Sequence, residues 1–422
     1  MIRQFLTILI LLTATSSLVS AQKPQKVIRF AEQDVTRLKT LAAKNKKLAP
    51  ILAKAEARLK VLRALKTGAT ADPKVARALA TFKHNRPVLS CRFSADGQFV
   101  FGGAMDKSLH RWNIYDGSQT ALQGHESWIR RFDMHPDGEL LVTAAYGGRL
   151  IWWNPEDATP KPVRSVDAHK GFIRGVAISP NRQFIATGGN DLVVRVWSAT
   201  TGKLVTELSG HQRHVYNVRF DPSGRFLVSG DLMGVLKQWD TKTWKHVRDL
   251  DAKVLTKYDK TFKADCGGIR GMDFSPDGKQ LVVCGIGHVT HAFAGVGEPT
   301  GVLFDFTTGK RLRVLKPAKK YRGTCWNIRF HPSGKFIVGS GGGSGMLWYW
   351  KPTADKAFHS MKVSGCAYDV TFHPDGLRMA VATYNRTLVI YDLGPKSAAK
   401  SSKKPKSKRP VKKTVRRKKK KK

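Results

Sequence analysis

Histidine, aspartate and hydroxyl side chains recur along this chain at spacings that, in isolation, suit acid–base chemistry. His169, Thr187 and Asp191 stand within one short stretch, with Trp197 close behind. His125, His169 and His211 are each followed by a Trp exactly 28 residues on, at Trp153, Trp197 and Trp239. Yet the patterns that assemble such groups into a reaction centre are missing: there is no GxSxG, HExxH, P-loop or dinucleotide-binding glycine pattern. His288 and His291 form a lone HxxH, too few ligands to argue for a metal. The five cysteines show neither CxxC nor zinc-finger spacing. A pair among Cys266, Cys325 and Cys366 could bridge neighbouring units in an oxidising compartment, or all could stay free thiols. The expectation is therefore no catalytic, cofactor-binding or metal-ligating residue.

The regular spacing has a structural origin. A turn recurs seven times: SADG at 94–97, HPDG at 135–138, SPNR at 179–182, DPSG at 221–224, SPDG at 275–278, HPSG at 331–334 and HPDG at 373–376. Alternating apolar residues precede each turn, such as Val215, Val218 and Phe220, and a β-rich run follows it. A third run ends in an aromatic residue: Trp112, Trp153, Trp197, Trp239, Phe304, Trp350 and Tyr391. Their separations are 41, 44, 42, 65, 46 and 41 residues. Period-2 apolar patterning around Pro/Gly/Asp turns predicts short antiparallel strands. A unit of this length with a His and a Trp is the mark of a propeller blade.

On these residues the stretch 78–394 resembles the WD-repeat β-propeller family. The resemblance implies an all-β, seven-bladed WD-repeat β-propeller. It also implies that His169, Thr187, Asp191 and Trp197 form a structural hydrogen-bonding tetrad rather than a catalytic one. Other copies depart from the pattern: Phe304 and Tyr391 replace Trp, and the opening His is read as missing from copies one, five, six and seven.

A propeller escapes exposed sheet edges by closing into a ring. Copy seven ends at Thr387–Asp392 without a fourth strand, and an orphan β-like segment, Ala78–Lys83, lies upstream of copy one. The propeller is thus expected to be closed by an N-terminal strand, preceded by a short helical segment. Ala31, Val35, Leu38 and Ala42 have helical spacing, as do Leu48, Leu52, Ala55, Leu59 and Leu62, with Pro50 opening the second helix. Copy five carries two expansions, Lys253–Gly267 and Ile286–Gly301, both on the face conventionally called the top.

Aligning the first strands isolates a column at the channel entrance: Leu89, Arg130, Arg174, Tyr216, Arg270, Trp326 and Tyr368. Trp128 and Phe172 stand just before it. In the family such positions encircle the top of the channel and commonly contact partners. Three Arg among aromatic rings suit an anionic protein or peptide segment gripped through bidentate bonds. The alternative is Arg stacked on neighbouring blades or solvated.

The formal charge of +43 is concentrated in the ends. Residues 396–422 carry 16 Lys or Arg and no acid. Such a segment cannot form a core and binds polyanions by releasing counterions. Arg3, the apolar run Phe5–Leu12 and Val19-Ser20-Ala21 read as a secretory leader, so export is expected. The chain divides into a signal peptide at 1–21, a helical extension at 22–77, the propeller at 78–394 and a Lys/Arg-rich tail at 395–422. The function read from this is an exported, non-enzymatic scaffold. Its top face binds a protein segment, and its tail holds an anionic polymer or membrane surface. Nucleic-acid association and an exported enzyme are the alternatives.

Overall fold

The repeated turn explains why each unit folds back on itself. In the fourth copy Asp221 accepts hydrogen bonds from the Ser223 and Phe226 backbone N–H at 3.1 and 2.6 Å, and Gly224 N–H donates to the Asp221 carbonyl at 2.9 Å. The turn needs a left-handed residue in its last place, which Gly224 supplies at φ +74°. Arg182 fills that place in the third copy at φ +58° and ties itself to Asp137 at 2.7 Å.

The computed structural model describes residues 24–64, 70–261, 263–291 and 296–395. Seven four-stranded antiparallel sheets follow one another, each ordered from an inner to an outer strand. Blade 3 is typical, with strands Ile173–Ile178, Phe184–Gly189, Val194–Ser198 and Leu204–Leu208. Apolar layers between sheets form the core. One joins Val228, Leu236 and Leu250 of blade 4 to Ile269, Met272 and Phe304 of blade 5.

Blade 7 is assembled from both ends of the chain. Its outer strand is Arg77–Lys83, paired antiparallel with Thr387–Asp392, so that Thr81 faces Val389 and Phe82 faces Leu388. Phe82, Val88 and Trp112 then share a core layer with Ala380, Leu388 and Ile390. Arg77 adds an ion pair to Asp392 at 2.5 Å.

The helical extension is a hairpin, α1 (Pro24–Lys44) and α2 (Ala49–Ala64). It packs on the lower turns of blades 7 and 1, across the closing seam. Phe30 meets His373 edge-on at 5.6 Å, while Ala31, Val35 and Leu59 cover Leu377. Asp34, itself buried, pairs with the buried Arg378 at 3.0 Å and accepts the Tyr115 hydroxyl. Burial opposes the charge on Arg378, but Asp34 and Asp375 outweigh it and hold that guanidinium firmly protonated.

Among their described residues, the two expansions of copy five are largely β-structure. The first forms a small hairpin, Thr256–Asp259 with Ala264–Gly267. The second prolongs the middle strands of blade 5, Gln280–His291 and Val296–Asp305, into a ribbon. Of the two readings left open for the cysteines, the structure shows free thiols: all five are unbridged, and Cys325 is buried with the Cys284 Sγ 3.3 Å from its carbonyl. No helix among the described residues is long and apolar enough to cross a membrane.

Candidate functional site: the channel mouth and the tetrads

Each inner strand enters at the top of the channel, and its first residues decide what lines the mouth. Leu89 is buried, whereas Arg130, Arg174, Tyr216, Arg270, Trp326 and Tyr368 are all half-buried. Their side chains interleave as cation–ring–cation. Arg174 lies 4.5 Å from the Tyr216 ring centre, and Arg270 lies 4.3 Å from the same ring. Arg270 also stands over Trp326 at 5.4 Å, and Arg130 over Trp326 and Tyr368 at 5.9 and 5.4 Å. Such contacts are worth about 0.5–1 kcal/mol each where water still reaches them. Arg174 and Arg270 thus stack on neighbouring blades and Arg130 on rings of blades 6 and 7 across the mouth, and that stacking holds all three in place.

None of the three is neutralised. Among the described residues no carboxylate pairs with Arg130, Arg174 or Arg270. Arg130 donates to the Leu89 carbonyl at 3.2 Å and Arg174 to the Asn190 side chain at 2.5 Å. Arg270 keeps a buried Nε–H without a hydrogen-bond partner. Burial, with the nearby Arg174 and Arg130 charges, pushes the Arg270 guanidinium below its usual range. Trp128 and Phe172 sit at the rim, 43% and 40% exposed. Tyr146 stacks on Phe172 at 4.3 Å, and Tyr384 lies 6.1 Å from Tyr368. Both tyrosines escape the first-strand alignment because they come from the turn after the second strand.

A second layer lies deeper. Three positions after the entrance column stand Arg92, Asp133, Arg219, Asp273 and Arg329, joined by Arg131 and Asp369 one position after it. Each acid also receives a backbone N–H from the next blade: Asp133 from Ile178 at 3.0 Å, Asp273 from Phe330 at 2.9 Å, Asp369 from Cys91 at 3.0 Å. The carboxylates therefore bind blade to blade as well as balancing charge. This layer could have been found by extending the same alignment by three residues.

The four residues His169, Thr187, Asp191 and Trp197 meet in one network. His169 places Nε2 2.8 Å from the Thr187 hydroxyl and Nδ1 2.8 Å from Asp191, while the Trp197 indole donates to Thr187 at 2.9 Å. Blade 4 repeats it with His211, Ser229, Asp231 and Trp239. In blade 2, Gly147 stands where the acid would be, and the buried His125 Nδ1 has no partner. Copy one, read as lacking its opening His, has one: His84 precedes Trp112 by 28 residues. Its preceding Lys83, in place of Gly or Ala, hid it.

Two buried imidazoles make stability depend on pH. Burial, aided by Arg149, lowers His125 to about 4, and burial lowers His331 to about 4 despite the Gly376 carbonyl. The unfolded chain, with His near 6.5, binds more protons between those values, so stability is complete above pH 6.5 and lost as pH falls towards 4. Urea unfolding at pH 7 and pH 5 should differ by about 2 kcal/mol for each of the two. His125→Gln should remove its share of that difference. An unchanged difference in the variant would contradict the assignment.

Comparison with known proteins follows the same divisions. A family model described as "WD domain, G-beta repeat" matches residues 76–113, 117–154, 160–198, 202–240, 256–288, 309–351 and 356–392. Among curated relatives, the chain is 34% identical over 105 residues to Nuclear distribution protein PAC1 of Yarrowia lipolytica, covering 24% of each chain. It is 29% identical over 145 residues to Protein HIR1 of Candida albicans, covering 30% of this chain and 16% of that one. It is 33% identical over 85 residues to Eukaryotic translation initiation factor 3 subunit I of Aspergillus niger, covering 20% and 24%. The chain thus spans a quarter or less of the length of these relatives. They are eukaryotic, one is named for nuclear distribution, and they point away from export. The expectation of an exported protein is corrected accordingly. It rested on residues 1–21, outside the described residues, where one cation before a short apolar run is too loose a pattern to outweigh relatives matched along the repeats.

Proposed function

Because the chain belongs to the WD domain, G-beta repeat family, with seven repeats closed in one ring, we propose that it is a non-enzymatic interaction scaffold whose channel mouth binds an acidic, extended protein segment. The observation that carries this reading is the set of three guanidiniums held between aromatic rings without a carboxylate partner, one of them with an orphaned buried donor. A buried donor left unmade costs about 1–3 kcal/mol, and a ligand oxygen would recover that. Planar guanidiniums match carboxylate or phosphate oxygens in pairs. The exposed Trp128 and Phe172, with Tyr146 beside them, offer apolar surface next to that charge.

The tail at 395–422 lies almost wholly outside the described residues, and its role rests on composition. Sixteen Lys or Arg without an acid bind polyanions generally, with steep salt dependence. With export withdrawn, nucleic acid becomes the polyanion to test first. The tail has no aromatic residue for base stacking, so its grip is on phosphates. Because the tail would also attract an acidic peptide, the test of the mouth uses a chain ending at residue 395. In that chain, replacing Arg130, Arg174 and Arg270 by Gln should abolish binding of a Glu-rich peptide while the fold persists.

A further inference from the structure

Blade 1 departs from its siblings in a way that creates a different kind of site. In the complete tetrads the imidazole uses both nitrogens inside the network. His169 and His211 each place Nε2 by a hydroxyl and Nδ1 by a carboxylate. The blade 1 counterparts of His169 and Asp191 are His84 and Asp106, at the same separation, but Gly102 stands where Thr187 would be. Trp112 and Val88 fill the space a side chain would need there. Without a hydroxyl to address, the His84 ring is turned round. Its Nδ1 lies 3.0 Å from the Arg86 carbonyl, and its Nε2 points at Asp106 Oδ2 from 3.3 Å.

A second imidazole approaches the same oxygen. His110, placed where blade 3 has Arg195, sets its Nε2 2.8 Å from Asp106 Oδ2, and the Gln119 side-chain amide anchors its Nδ1 at 2.7 Å. The two rings lie 4.3 Å apart. All three ligand atoms lie within 4.8 Å of one another, both imidazoles are nearly buried, and Asp106 keeps about a quarter of its side chain open to solvent.

The geometry points to a divalent transition-metal site, best suited to zinc, formed by His84 Nε2, His110 Nε2 and Asp106 with a fourth position open to solvent. Tetrahedral bonds of about 2.0–2.2 Å hold ligand atoms roughly 3.3 Å apart, close to the 3.3 and 2.8 Å that separate the two imidazoles from Asp106. The outer nitrogens are already fixed by Arg86 and Gln119, as ligating imidazoles require, with the Gln119 oxygen turned towards His110. Two nitrogens and one carboxylate favour zinc over calcium or magnesium, which prefer oxygen. Each ring binds through the Nε2 lone pair with its one proton on Nδ1, so a ring that arrives neutral releases no proton and one that arrives as imidazolium releases one.

The test is calorimetric titration of the metal-stripped full chain with zinc chloride. Wild type should bind one equivalent with saturation. His110→Gln and Asp106→Asn should each weaken that binding at least tenfold, whereas His211→Gln, in the complete tetrad of blade 4, should leave it unchanged. Cobalt(II) added to wild type should give the strong visible absorption of a tetrahedral site, a readout that needs no variant to fold. Absence of one-equivalent binding, absence of that absorption, or equal affinity in His110→Gln would overturn the proposal.

Discussion

A chain beginning at residue 84 should unfold with a loss on the order of 5 kcal/mol relative to one beginning at residue 77. The two differ only by the outer strand of blade 7. That strand contributes its ladder to Thr387–Asp392, the apolar contact of Phe82 with Trp112, and the Arg77 to Asp392 ion pair. Backbone hydrogen bonds at about 1 kcal/mol each and one buried Phe at about 2 kcal/mol account for most of the figure. Removing the strand also bares an edge beside the ring closure, so concentration-dependent association should follow. Both chains lack the helical hairpin, which isolates the strand from the Asp34–Arg378 contact. Urea unfolding measures the loss, and light scattering the association. Equal midpoints would contradict closure by the N-terminal strand.

Asp369→Asn should cost about 3–5 kcal/mol, although the two side chains have nearly the same shape. The carboxylate is fully buried. It accepts from Arg92 at 3.0 Å, from Cys91 and Val370 N–H at 3.0 and 2.8 Å, and from the Asn327 amide, with Arg131 at 3.7 Å. Burial alone would raise its pKa; Arg92, Arg131 and Arg329 reverse the sign and hold it below the usual carboxylate range. The amide would leave those guanidiniums buried without their shared counter-charge and turn a donor towards Cys91 N–H and Arg92. Arg131 is already pushed down, first by burial and then by Arg130. Denaturant unfolding at neutral pH checks the figure. A loss below about 1 kcal/mol would mean that the deeper layer does not carry the charge balance described here.

The blades were legible because turn chemistry and period-2 patterning act locally: Asp221 and Gly224 form their turn whatever lies across the ring. Ring closure was legible for a different reason. Copy seven lacked an outer strand, and Ala78–Lys83 had no other partner. Contacts across long separations were not readable. Asp34 looks like a charge on a solvated helix face until Arg378, far along the chain, is brought beside it. The deeper Arg and Asp residues occupy strand positions whose alternation reads as outward and polar. In a propeller that side of the inner strand is the channel wall. His84 was obscured because Gly102 and Lys83 break the local pattern on both sides of it.

The channel mouth carries the functional account, and one titration tests it most directly. A labelled Glu-rich peptide is added to the chain ending at residue 395, in wild-type form and with Arg130, Arg174 and Arg270 all replaced by Gln, while anisotropy is followed at two salt concentrations. Wild type should bind with an affinity that weakens as salt rises, and the triple variant should lose at least a hundredfold while its melting temperature stays near that of wild type. Equal affinity in the two proteins would contradict the assignment of the mouth as the binding site.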